Sequence, residues 1–384
     1  TMGGGAAFFD ADADGDMDLY AVNGATVQTY SQKTGPGNVL YLNGGSGTFH
    51  DETARAGVGD AGWGMGCTMG DVDGDGFGDL YVANYGANVM YHNDGDGKFS
   101  DVSKKAGVEG SQFTSSTAFF DADNDGDLDL YVATYLAYDV HSPPDRKCTY
   151  AGYDIYCGPQ GLARDGDVLY RNDGAGTFTD VTRASGVSWA NHYYALGVLP
   201  ADFDEDGDTD IFVVNDKTPN LMFHNAGDGT FVEHGLQSAV AYNADGNEEA
   251  SMGVAAGDYD GDGKIDLYVT HFFRESNTLY RNVGTGAFED ITREVGLEQP
   301  TMSNLGWGTQ FLDFDSDGDL DLFVANGHVY PQIDLKKLGT SYPQTNQLLR
   351  NDGDAGWFDV SSEAGPGLRI ERVSRGAAFG DYDN

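Results

Sequence analysis

Along the whole chain, short apolar runs alternate with acidic, glycine-rich punctuation, and the alternation repeats about every fifty residues. A small-and-apolar run such as GAAFF (5–9) or STAFF (116–120) leads into an acidic stretch. Then comes an alternating run such as DLYVAN (79–84) or DLFVAN (321–326), and after it two short runs around a tight turn, as in VLYRNDGAGTFTDVT (168–182). Period-two alternation over four to eight residues, bounded by Gly, Asn and Asp, predicts β-strands joined by turns. Helical periodicity is almost absent. Each unit therefore reads as four short antiparallel strands, A to D, and a fixed repeat of this length has to be weighed before any local assignment.

Four-stranded units copied one after another predict an all-β protein, a β-propeller of four-stranded antiparallel blades, better than a solenoid. Six units are complete, and a seventh A-like run follows them at 376–380. Seven blades are the favoured expectation and six the alternative. Residues 1–384 are expected to form one propeller domain that breaks off within its last blade.

The acidic punctuation is one nine-residue string, D-x-D-x-D-G-x-x-D, present six times between strands A and B. Positions 1, 3, 5, 7 and 9 are Asp10, Asp12, Asp14, Asp16 and Asp18 in the first copy, and Asp71, Asp73, Asp75, Phe77 and Asp79 in the second. The third has Asp121, Asp123, Asp125, Asp127 and Asp129, and the fourth Asp202, Asp204, Asp206, Asp208 and Asp210. The fifth has Asp258, Asp260, Asp262, Lys264 and Asp266, and the sixth Asp313, Asp315, Asp317, Asp319 and Asp321. Carboxylates a few ångströms apart repel by roughly a kcal/mol or more per pair unless a cation compensates them. Side-chain oxygens at 1, 3, 5 and 9, a backbone carbonyl at 7 and a turn-permitting Gly at 6 follow the oxygen-only logic of a calcium loop. Position 7 serves as an internal control. It is Phe77 or Lys264 in two copies, which a carbonyl donor tolerates and a side-chain ligand does not. Hard oxygen donors without His or Cys favour Ca²⁺ over zinc or copper, and Mg²⁺ prefers sites that keep several waters. About six Ca²⁺, one per complete loop, are expected; turns that hold no metal are the alternative.

Composition sharpens this. With 21 Lys+Arg against 62 Asp+Glu, the net charge of −41 repels nucleic acid and anionic membranes, and 50 of the acids are Asp. Glycine, at 56 of 384, is about double the usual ~7%, while 40% hydrophobic residues supply a core, so disorder is not expected. No run of ~18 apolar residues exists to cross a membrane as a helix. Weak calcium sites fill where free calcium is millimolar, which places the protein in an extracellular, cell-surface or periplasmic setting.

The D-x-D-x-D-G-x-x-D string between two strands resembles the FG-GAP (VCBS-type) repeat of integrin α-subunit propellers, over essentially the whole chain. Four strings are similar to the ASPIC/UnbV, or cartilage-acidic-protein-like, family: YCGPQGL (156–162), NDKTPNLMFHN (215–225), GWGTQFLDFDSDGDLDLFVANGHVYP (306–331) and SRGAAFGDYDN (374–384). In that family a small domain follows the propeller. The resemblance implies a secreted or surface-attached calcium-binding propeller used in adhesion or recognition, and it names no substrate.

Of three cysteines, Cys148 and Cys157 lie nine apart inside the longest insertion and are expected to form a disulfide in an oxidising compartment, with two free thiols as the alternative. Cys67, on an A strand among small residues, reads as a core thiol. No H-x-x-x-H, G-x-S-x-G, P-loop or dinucleotide fingerprint occurs, so no catalytic residue is assigned. Thirteen residues after each loop start stand Asn23, Asn84, Thr134, Asn215, His271 and Asn326, read as groups that close the B–C turn rather than as a functional ring.

Unit length varies mainly through B–C insertions at 24–38, 134–167 and 326–346. In an A–B–C–D meander these rise from the face opposite the metal loops. They carry Tyr135, Tyr138, Tyr150, Tyr153, Tyr156 and Tyr330, which are the expected contacts for an extracellular protein or glycan, with 134–167 as the principal loop. The leading expectation is a non-catalytic recognition, adhesion or scaffold module with structural calcium. The alternative is a carbohydrate-active propeller, lectin-like or a lyase or hydrolase working from the face opposite the metal loops.

Overall fold

The computed structural model describes residues 3–150, 152–335 and 338–383. Among them are six four-stranded antiparallel sheets, each in the order A-B-C-D along the chain, and one two-stranded hairpin. Blade 1 is Ala6–Phe9, Asp18–Ala21, Val39–Asn43 and Phe49–Asp51, and blade 2 is Trp63–Gly70, Asp79–Tyr85, Val89–Asn93 and Phe99–Asp101. Blade 3 is Thr114–Phe120, Asp129–Thr134, Val168–Asn172 and Phe178–Asp180, and blade 4 is Ala195–Ala201, Asp210–Asn215, Leu221–Asn225 and Phe231–Glu233. Blade 5 is Ser251–Gly257, Asp266–His271, Thr278–Gly284 and Ala287–Asp290, and blade 6 is Gly306–Leu312, Asp321–Asn326, Gln347–Asn351 and Trp357–Asp359. The expected propeller of four-stranded blades is what forms; among the described residues it has six blades, the count held as the alternative, rather than the favoured seven.

The core lies between blades. In blades 2 to 5 strand B is buried on both faces because its alternate residues pack against the two neighbouring blades, which is why DLYVA-type runs are apolar almost throughout; in blade 1 only alternate residues are buried. Leu80 and Val82 pack with Tyr20 and Leu40 of blade 1, whereas Tyr81 packs with Leu130 and Val132 of blade 3. The same layering recurs between blades 3 and 4, 4 and 5, and 5 and 6. Burying one such aromatic or branched side chain stabilises by about 1.5–3 kcal/mol, so each interblade layer contributes several such increments.

The inner A strands are rich in glycine because neighbouring backbones meet there. A Cβ on Gly5 would lie 2.7 Å from the Gly66 Cα, and one on Gly253 would lie 2.2 Å from the Trp307 carbonyl oxygen. Cys67 packs beside the first core layer and borders the central channel, and burial pushes its thiol up to about 12.

Between blades 6 and 1 the seventh copy contributes an extended segment rather than a sheet. The Ser374 N–H donates to the Asn326 carbonyl at 3.1 Å, as Gly64 does to Asn23 at 3.2 Å, and the Gly376 N–H donates to Gly4 at 2.9 Å. Phe379 meets Phe323 at 5.3 Å and Tyr382 stacks on Phe8 at 6.3 Å. Residues 374–382 thus lie as an extended segment between blades 6 and 1, and no seventh sheet forms among the described residues.

Four-residue helices follow strand D at Thr53–Ala56 and Ser103–Ala106, and a capped turn of helix, Val27–Gln32, stands in the first insertion. Their shortness explains why no helical period was legible.

Candidate metal loops and the opposite face

Each acidic loop is a compact turn held by its own carboxylates. In the first, the Asp14 and Gly15 N–H groups donate to Asp10 at 3.1 and 3.0 Å, and the Asp16 N–H donates to Asp14 Oδ1 at 3.0 Å. The last Asp closes the turn: Asp18 accepts from the Ala11 N–H and, across the blade, from the Asn43 N–H, both at 2.7 Å. Gly at position 6 is required by conformation, with φ between +89° and +97° in all six copies (Gly15, Gly76, Gly126, Gly207, Gly263 and Gly318). Position 4 is left-handed too, at Ala13, Gly74, Asn124, Glu205, Gly261 and Ser316. Its variable residue type hid that from the sequence.

The donor set fits a hard cation. One oxygen each from Asp10, Asp12 and Asp18 lie within 4.8 Å of one another, as do Asp71, Asp73 and Asp79, and Asp121, Asp123 and Asp129. The Oδ1 atoms of Asp12, Asp73 and Asp123, all position 3, are buried and have no hydrogen-bond partner. A buried acceptor left without a donor costs about 1–3 kcal/mol, and a bound cation removes that cost. Burial, opposed by the two backbone N–H bonds and reinforced by neighbouring carboxylates, pushes Asp18 and Asp129 up to about 6 and Asp210 and Asp266 up to about 7. Burial raises Asp79 and Asp321 in the same way.

Two features of these loops are absent from the nine-residue motif. The side chain before the strand-C Asn lies over the loop in two blades: His92 Nδ1 is 3.1 Å from Asp79 and 3.3 Å from Asp73, and His224 Nδ1 is 3.2 Å from Asp204. The strand-C Asn also ties each loop to the preceding blade. Asn93 Nδ2 donates to the Ala11 carbonyl at 3.0 Å, Asn172 to Val72 at 2.7 Å, Asn225 to Ala122 at 2.9 Å, Asn282 to Phe203 at 2.9 Å and Asn351 to Tyr259 at 3.1 Å. Asn43 makes the same bond to Tyr382, in the broken seventh copy, at 2.7 Å. Only the repeating N-D-G turn signal was visible in sequence; its partner lies one blade away.

On the opposite face, the six strand-B-end residues close their B–C turns as expected. Each backbone N–H donates to a side-chain oxygen at the entry to strand C: Asn23 to Asn38, Asn84 to Asn88, Thr134 to Asp167, Asn215 to Asn220, His271 to Asn277 and Asn326 to Asn346, at 2.7–3.0 Å. Asp167 is the one acid in this set, fully buried, with its carboxyl pushed up to about 7.

The expected disulfide forms between Cys148 and Cys157. It bounds the hairpin Cys148–Tyr150 and Tyr153–Ile155 within the longest insertion. The six tyrosines named from sequence separate by environment. Tyr156 is 76% exposed, whereas Tyr135 is buried, its hydroxyl donating to Asp216 Oδ2 at 2.5 Å. Tyr135, Tyr156 and Tyr330 line one pocket; Tyr150, Tyr153 and Tyr330 border a smaller one, with Tyr150 and Tyr330 rings 6.1 Å apart. Tyr138 is half-buried and its carbonyl accepts from the Tyr85 hydroxyl at 2.7 Å. A run of ring contacts, Tyr30–Tyr85–Phe113–Tyr135–Tyr194, crosses from the first insertion to blade 4 at 5.3–6.3 Å. Part of this aromatic content therefore packs neighbouring blades together.

Among the described residues no helix is long and apolar enough to cross a membrane. The FG-GAP-like repeat family matches residues 10–82, 71–132, 153–213, 202–269 and 258–324. Cartilage acidic protein 1 of Homo sapiens is 28% identical over 201 residues, 51% of this chain and 27% of that protein. The Mus musculus protein is 28% identical over 232 residues, 59% of this chain and 32% of its own length. The chain thus covers about a third or less of these curated relatives. A solved lectin of Agrocybe aegerita, described as recognising non-reducing terminal N-acetylglucosamine, superposes with a TM-score of 0.53 at 17% identity, over 93% of this chain and 79% of its own, a likeness of fold. Four of the five matched segments begin on an acidic loop, at residues 10, 71, 202 and 258, while the other begins at residue 153 in the long insertion, and the chain belongs to the FG-GAP-like repeat family.

Proposed function

We propose that this chain is an extracellular, calcium-loaded recognition or scaffold propeller, non-catalytic, whose ions stabilise the loops and whose partner docks on the opposite face. The observation that carries the metal reading is the buried, unpartnered position-3 oxygen in the first three loops, each set beside two further carboxylates. Asp at positions 1, 3, 5 and 9 with the position-7 carbonyl would hold each ion, which supplies charge compensation and no chemistry. Six Ca²⁺ would bring the formal charge from −41 to about −29. The disulfide and the similarity to cartilage acidic protein support an oxidising, extracellular setting.

Docking on the insertion face rests on where the long B–C segments gather and on the exposed Tyr156. The partner is a protein or a glycan. The lectin-like variant of this reading draws support from the fold shared with the Agrocybe aegerita lectin. A screen of matrix proteins and glycans, with calcium and with chelator, tests the reading. Replacing residues 140–160 by a short Gly-Ser linker is expected to abolish partner binding at unchanged calcium content. Binding that survives the replacement refutes the docking assignment.

A further inference from the structure

The pocket on the insertion face has about 390 Å³ of space, within the range of about 300–1,000 Å³ typical of small-ligand sites. Four blades build it: Tyr135 and Tyr156 come from blade 3 and its insertion, Asp216 from blade 4, Phe272 from blade 5, and Trp307 and Tyr330 from blade 6. Five aromatic residues and one carboxylate thus share the lining of a single pocket. Asp216 is only 8% exposed and accepts the Tyr135 hydroxyl. The neighbouring Lys217 is committed to an ion pair with Glu275, so these three groups together carry one net negative charge.

We propose that this pocket binds an organic cation of the quaternary or N-methylated ammonium class. Ring faces attract such cations, and the attraction grows to about 2 kcal/mol or more when the site is desolvated. Trp307 already takes one cation in this way, with the Arg375 guanidinium 4.3 Å from its ring centroid. The buried carboxylate supplies the countercharge, and burial, its main perturbation, pushes the Asp216 carboxyl up to about 6, a cost that a bound cation offsets. The net charge of −41 favours the approach of cations to the protein as a whole. A neutral sugar finds less here, because its hydroxyls need several directional partners. Lys217 and the Tyr135 hydroxyl, two of the polar groups at the pocket, are already engaged. The inference deepens the reading of this face as the recognition face by naming the chemistry its pocket takes.

The test is calorimetric titration of the calcium-loaded chain with choline and with its neutral isostere 3,3-dimethylbutan-1-ol, followed in parallel by tryptophan fluorescence. Choline is expected to saturate one site and to bind at least tenfold tighter than the isostere. Tyr330→Leu and Asp216→Asn are each expected to weaken choline at least tenfold. If Tyr330→Leu melts early, the decision passes to Asp216→Asn and to the isostere ratio, which needs no substitution. Equal binding of choline and isostere overturns the proposal, as does wild-type choline affinity in Asp216→Asn or tighter binding of N-acetylglucosamine than of choline. Partner docking without choline binding defeats the pocket alone, whereas choline binding without any macromolecular partner defeats the docking reading and keeps the pocket.

Discussion

Replacing Asp167 by asparagine is expected to stabilise the protein at pH 8 and to do nothing, or slightly harm it, at pH 5. Asp167 sits where strand C of blade 3 begins, accepting from the Thr134 N–H at 2.7 Å and the Tyr131 hydroxyl at 2.9 Å. Those bonds favour the carboxylate, but complete burial outweighs them and pushes its carboxyl from 3.8 up to about 7. The folded protein therefore holds this proton more tightly than the unfolded chain does. Its stability falls as pH rises from about 4 to about 7 and is flat above, at ~1.4 kcal/mol per pH unit within the window. Across that window the cost of ionisation at pH 8 has a ceiling of about 4 kcal/mol. Asparagine escapes that cost. It also fits, since Asn38, Asn88, Asn220, Asn277 and Asn346 take the same backbone bond in the other five blades. The Tyr131 hydroxyl has to turn from donor to acceptor, as Tyr268 does toward Asn277 at 3.0 Å, and that rearrangement brings the expected gain down to about 1–3 kcal/mol. Paired denaturant titrations at pH 5, 6, 7 and 8, in saturating calcium, measure the difference while the loop carboxylates behave alike in both proteins. A difference independent of pH, or an asparagine variant less stable at pH 8, would refute the argument.

Chelation is expected to lower the melting temperature, because metal that binds only the folded loops adds stability by mass action; identical melts in EDTA and in millimolar Ca²⁺ would sink that reading. In the fifth loop, Asp262→Ala should reduce the bound ions by about one. Lys264→Ala, which frees the Asp262 oxygen that the ammonium now holds at 2.5 Å, should not. Asn172→Ala removes the Nδ2 bonds to Val72 at 2.7 Å and Leu128 at 3.1 Å and strands two carbonyls between blades 2 and 3. It is expected to cost about 2–4 kcal/mol by chemical denaturation, and a loss under about 0.5 kcal/mol would show that the interblade tie carries little.

The sequence by itself determined whatever depends on near neighbours along the chain. The four strands of each blade follow from period-two alternation, and the acidic loops from a nine-residue spacing that brings the carboxylates at positions 1, 3 and 9 together, as Asp10, Asp12 and Asp18 are. The 148–157 disulfide joins cysteines close enough in the chain to meet across one hairpin. The tertiary structure decided what one blade does to the next. Asn43 reaches Tyr382 across 339 residues, and nothing in the local N-G-G or N-D-G strings reveals that the amide's partner is another blade's loop. Tyr135 and Tyr156 look equivalent in sequence, yet the turn of the chain after strand B buries the first against Asp216 and leaves the second in solvent. The aromatic pocket needs residues from four blades, so it exists only once the ring has set their angles. Local spacing fixes hydrogen bonds within a turn or a hairpin, whereas contacts between blades depend on the summed twist and packing of whole sheets, which no short window of sequence contains.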